Sequence, residues 1–258
     1  MRLLLKYAAI NFKSQMQYKM NFALLTLGQF LISFATFIGV YFMISIVNIV
    51  DGFTYEQILL CFATMNLAFS FTELFTKNFQ NIPRLIGNGQ FDRILVRPRG
   101  ILFQTVASRV DFCRFGRTLQ AVTIFAYAIP ACGVAWRPDK VATLVLMVAC
   151  GSLVFSALFL ISASCAFFAT QGLDFMNIFT FGGREHGSYP FSIYGKEVLT
   201  FLTFVVPLAT FQYYPLLYLL GMEQGALHML APLLGLLILV PAYALFRMGL
   251  RHYKSTGS

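Results

Sequence analysis

The stretch 141-VATLVLMVACGSLVFSALFLISASCAFFAT-170 runs for thirty residues without a charge. A helix needs about 20 mostly apolar residues to cross a bilayer. A soluble surface helix of this length would show a polar face. Here every turn is apolar or small, so no such face exists. A strand reading fails too, because outer-membrane strands are segments of about ten residues with alternating polarity. The stretch therefore reads as a membrane-spanning helix, and the chain as an all-α integral membrane protein.

Five further apolar runs lie around it. They cover about 22–47, 58–75, 119–135, 198–220 and 227–246, with the third gaining apolar character from near Ile101. The predicted architecture is therefore six transmembrane helices in a single domain over 1–258. Composition agrees. The 258 residues are 58% hydrophobic and 11% charged, where a soluble domain carries about 25% charged residues. With 29 Phe and 12 Tyr the chain is not disordered either.

The net charge of +9 becomes informative once it is placed by side. With the N-terminus inside, 17 of the 19 basic residues fall on inner segments. These include Arg184 and Lys196, whereas Arg137 and Lys140 lie outside. The outer acids are Asp51, Glu56, Asp139 and Glu223. This is a positive-inside distribution, and it predicts both termini in the cytoplasm. Nucleic acid is excluded as a partner, and membrane lipid takes its place. Five cysteines without C-x-x-C spacing indicate neither a disulfide framework nor a zinc site. No cleavable signal peptide is read, since the first apolar run is too long for one.

Residues 1–20 place Arg2, Lys6 and Lys13 on one helical face, which predicts an interfacial helix in the inner headgroup layer. The inner segment 77-KNFQNIPRLIGNGQFDRILVRPRG-100 predicts two short helices. Pro83 suits a first turn, Gly87-Asn88-Gly89 breaks the helix, and Pro98 ends the second one. Asp92 is the single acid there, placed to cap the second helix or to pair with a cation. Residues 171–197 are read as a flexible, glycine-rich cytoplasmic connection. A phosphate-binding Walker loop needs G-x-x-x-x-G-K-[ST]. Gly195-Lys196 fails it, with Pro190 in the first glycine position and Glu197 in the last. His186 lacks histidine neighbours on its side of the membrane, so no metal site is read.

Two features lie inside the apolar runs. Glu73 is the one acid within a span, and Lys77 follows four residues later on the same helical face. Two readings stand for it, a structural salt bridge and a place on a transport pathway. Tyr213-Tyr214-Pro215 near the outer end of the fifth run suggests an interfacial aromatic anchor and a broken or re-entrant helix.

Three local patterns then point to a family. These are 17-QYKMNF-22, 89-GQFDRILVRP-98, and 189-YPFSIY-194 followed by Val206-Pro207 and Tyr214-Pro215. In them the chain resembles the permease subunits of the type-2 ABC exporter superfamily, and more narrowly its six-span bacterial branch. There two related permeases are commonly paired with one kind of ATPase. The resemblance implies an ATP-driven exporter in the bacterial cytoplasmic membrane, with a homo- or heterodimeric pore. It makes about 82–96 the coupling helix region, with Arg84, Leu85, Asp92, Arg93, Ile94 and Arg97 docking on separate cytoplasmic ATPase subunits. ATP and Mg would sit on those subunits, so this chain would carry no catalytic residues, cofactor or metal. An ATP-independent secondary transporter and a non-transporting assembly subunit are the alternatives. The former needs intramembrane charges along an ion path, and Glu73 is the only internal acid.

Overall fold

Helices form where apolar residues run unbroken, and they stop where Gly, Pro or a charge cluster intervenes. The computed structural model describes residues 2–47, 49–50, 52–169 and 173–254. Thr170, Gln171 and the outer acid Asp51 lie outside the described residues. An N-terminal helix α1 (Arg2–Met16) is followed, after a turn at Gln17-Tyr18, by the long α2 (Lys19–Val47). A short antiparallel hairpin pairs β1 (Ile49–Val50) with β2 (Phe53–Thr54). It leads into α3 (Tyr55–Thr76), where the Thr54 N–H donates to Gln57 Oε1 at 3.1 Å and so satisfies one of the orphan donors at the helix start.

After α3, the 3-10 turn Lys77–Asn81 continues into α4 (Ile82–Gly87), and α5 (Asp92–Leu95) and α6 (Ile101–Ser108) follow. Then come α7 (Phe115–Ala131) and α8 (Pro138–Cys165), the latter with proline at its first position. Beyond the short α9 (Gly183–His186) lie α10 (Lys196–Phe204), α11 (Leu208–Leu220), α12 (Ala226–Gly235) and α13 (Leu239–His252).

The chain is thus an all-α membrane protein. Among the described residues, four stretches are long and apolar enough to cross a bilayer: Lys19–Phe42, Tyr55–Gly87, Pro138–Cys165 and Ala226–His252. A fifth counts if α10 and α11 are one bent span. The α7 helix has 17 residues, about 26 Å, which sits at the lower limit for a crossing.

Two expectations need correction. The run 198–220 is not one helix: it breaks at Val205–Pro207, and its halves differ in direction by 113°. Pro207 supplies the break, since a proline lacks the N–H that an interior helical position requires. Pro215, by contrast, is accommodated inside α11. The Tyr213-Tyr214-Pro215 motif therefore does not mark the break.

The second correction concerns 171–197. With α3 as a ruler about 33 Å long, the described part of this segment does not hang below the helices. The Phe181 ring lies 5.5 Å from Phe69 and under Lys77 Nζ at 6.0 Å, toward the C-terminal end of α3. The Arg184 guanidinium sits 5.2 Å from the Phe69 ring, and a Cβ on Gly187 would collide with the Met65 methyl. The Gly187 and Tyr189 carbonyls accept from Gln212 Nε2 at 3.2 Å, and that amide also meets the Cys61 sulfur near the N-terminal end of α3. Residues 181–189 thus run alongside α3 from Phe69 to Cys61. Their glycines permit this: Gly183 and Gly187 lie where side chains would strike Leu208 and Met65.

The core divides in the same direction. The half around the C-terminal part of α3 packs phenylalanines edge to face, with Phe69–Phe155 at 5.0 Å and 85°. The half around the N-terminal part of α3 gathers Phe62, Leu59, Met147, Leu216 and Leu219. At its rim Lys140 Nζ donates to Leu219 O at 2.7 Å, and the Tyr218 hydroxyl to Asp139 at 2.8 Å. These bonds tie the start of α8 to the end of α11.

Candidate functional site

Residues 77–100 form a compact knob because a few apolar side chains pin it from within. Ile82 and Ile86 of α4 and Phe91, the residue just before α5, are buried. Between them the chain reverses at Gly89, whose φ of 67° is a left-handed value that favours glycine. The Gln90 and Phe91 N–H groups both return to Leu85 O, at 2.9 and 3.1 Å, and close the turn. Gln104 Nε2 donates to Ile94 O and Arg99 O at 3.1 and 2.7 Å, tying the second helix to α6.

The predicted site residues divide by exposure. Arg84, Arg93 and Arg97 are exposed, whereas Leu85, Asp92 and Ile94 are half-buried. Asp92 opens α5, where a carboxylate faces favourable partial charge. It also accepts a hydrogen bond of 2.9 Å from the Tyr253 hydroxyl. Around that bond Phe91 meets Tyr253 at 5.1 Å and Phe167 at 5.2 Å, and Phe167 meets Phe246 at 5.9 Å. Gly249 admits the Phe167 ring, which would lie 2.6 Å from a Cβ placed there. The knob is thereby fastened to the C-terminal ends of α8 and α13. The sequence reading missed Tyr253 and Phe167. A tyrosine just beyond the last basic span end was the available signal, but nothing local told which loop it would meet.

A second arrangement centres on Glu73, which is fully buried. Lys77 Nζ lies 3.0 Å from its Oε1, Arg114 Nη1 lies 3.4 Å from the same oxygen, and Arg117 Nη1 bonds to Oε2. Gln29 Oε1 on α2 accepts from Arg114 at 2.7 Å and from Arg117 at 3.1 Å. One carboxylate thus gathers three cations and joins α2, α3 and α7. The last turn of α3 faces the first turn of α7, and Gly116 lets α7 approach: a Cβ there would overlap the Thr26 carbonyl on α2. Placing Arg114 and Arg117 in an inner loop concealed this. Their three-residue spacing across the start of the next helix was the legible clue.

Tyr213 and Tyr214 are half-buried and Pro215 is buried, all within α11. The Tyr214 hydroxyl and Thr203 Oγ1 are 3.1 Å apart, which pins the end of α10 against α11. These residues lie apart from the knob and from Glu73 in the fold.

A family model described as ABC-2 family transporter protein matches residues 30–257. No curated protein and no solved structure gave a significant match.

Proposed function

Because this chain belongs to the ABC-2 transporter family, we propose that it is the permease subunit of an ATP-driven exporter. It pairs with a second permease, the same or related, and takes its energy from separate cytoplasmic ATPase subunits. The observation that carries this is the knob. It presents Arg84, Arg93 and Arg97 outward, while Phe91 and Asp92 are fastened to α8 and α13. A push on the exposed face is therefore passed to two long helices as rigid-body motion rather than absorbed by a loose loop. The sequence itself carries no Walker motif, so ATP and Mg belong to the partner.

In this reading the chain crosses the membrane six times. The crossings are α2, α3, α7, α8, the irregular climb over 178–189, and α12 with α13. The α10–α11 hairpin then dips in from the outer side, and both termini face the bacterial cytoplasm. Lys196 and Glu197 move to the outer side and Arg184 into the membrane. Fifteen of the 19 basic residues still stay inside, which keeps the positive-inside distribution.

Purification from mild detergent tests the assembly. A P-loop ATPase should co-purify at one copy per permease chain. A chain that purifies alone and moves solute in ATP-free liposomes would overturn the reading.

A further inference from the structure

Where α1 turns into α2, an open cavity of about 550 Å³ forms. Ser14 of α1, Asn21 and Gln29 of α2, and the Ser108–Arg114 turn line it, including Arg109 and Arg114. The turn is built for this: Gln15 Nε2 donates to Val110 O at 2.7 Å, and the Phe112 N–H returns to Gln15 Oε1 at 3.0 Å. Asn11 Nδ2 adds a bond of 3.3 Å to Ala107 O.

The charge of the cavity is positive. Asp111 is the one acid in its wall, and Arg114 Nε already meets it at 3.4 Å. Arg109 is exposed and makes no ion pair among the described residues. Behind Arg114 lies the Glu73 cluster, with three cations around one carboxylate. The wall thus offers an open guanidinium, hydroxyls and amides, which is the donor set a phosphodiester needs. Just along α2 the surface turns apolar, with Leu24, Leu25, Leu31 and Ile32 exposed. Basic pockets on the cytoplasmic side of membrane helices accept anionic headgroups.

We propose that this cavity binds the headgroup of an anionic phospholipid of the inner leaflet, with its acyl chains along α2. The placement rests on the inner orientation of α1, while the binding itself requires neither an ATPase nor a second permease. The bound lipid would hold α1 against the α6–α7 turn.

Native mass spectrometry of the full chain in detergent tests it, with phosphatidylglycerol and phosphatidylethanolamine of identical acyl chains as probes. Phosphatidylglycerol should be retained preferentially. Arg109→Gln should lower that preference about fivefold, while Arg99→Gln, an exposed arginine on the knob, leaves it unchanged. An equal fall in both variants would mean diffuse surface attraction and overturn the proposal. So would displacement of the lipid by millimolar inorganic phosphate, which would make this a free-anion site, and so would the absence of any preference.

Discussion

The Tyr253 hydroxyl donates to Asp92 Oδ1 at 2.9 Å, across 161 residues of sequence. This bond joins the inner knob to the end of the last helix. Burial first, and then the bond to Asp92, raise the Tyr253 phenol above its ordinary pKa of 10. The donor is therefore present throughout the neutral range. Its contribution is complete below pH 10 and is lost as the pH climbs through the raised value.

Tyr253→Phe keeps the ring contacts with Phe91 and Phe167 but removes the bond. The expected cost is about 1 kcal/mol of knob anchoring. Permease-stimulated ATPase turnover should fall severalfold while co-purification with the ATPase stays intact. Loss of assembly instead would place Tyr253 in the docking surface itself.

Glu73→Gln leaves Lys77, Arg114 and Arg117 around a neutral amide. Removing one partner of a buried ion cluster costs about 3–5 kcal/mol. The variant should unfold at a clearly lower temperature in detergent. Adding Arg117→Met should restore part of the loss, because one stranded cation goes with it. Lys77→Met alone should be milder, since Lys77 is partly exposed. An unchanged melting temperature for Glu73→Gln would argue that Glu73 serves a pathway rather than the fold.

Gly116→Ala sets a methyl against the Thr26 backbone carbonyl, which has no rotamer with which to yield. Overpacking of this kind costs about 1–3 kcal/mol. Gly87→Ala, with no atom within 4 Å of the added carbon, should be close to neutral. Thermal unfolding of the two variants checks the contrast, and equal melting temperatures would contradict the close packing of α2 and α7.

Topology gives a further prediction. In a background without the five cysteines, Glu197→Cys should react with a membrane-impermeant maleimide added outside intact cells. Arg93→Cys should react only after permeabilisation. Labelling of position 197 from the inside alone would restore the cytoplasmic connection and remove the re-entrant hairpin.

The long apolar helices were legible because hydropathy alone marks them, and thirty uncharged residues at 141–170 leave few alternatives. The knob was legible too, because Pro83, the Gly87–Gly89 turn and Pro98 are local signals that act on the backbone wherever it lies. What escaped was decided by distant partners. Nothing near Gly187 says that its missing side chain makes room for Met65, so a segment rich in glycine read as a loop. Glu73 showed its helical neighbour Lys77, but not two arginines some forty residues further on. Several prolines were present, and only the packing shows that Pro215 fits a helix while Pro207 breaks one.

The central claim is that energy enters through the knob, and cross-linking tests it most directly. A photoreactive amino acid at position 93 should capture a P-loop ATPase subunit in intact membranes, and the same group at position 137 should not. Failure to capture an ATPase from 93, with the complex otherwise assembled, would contradict the account.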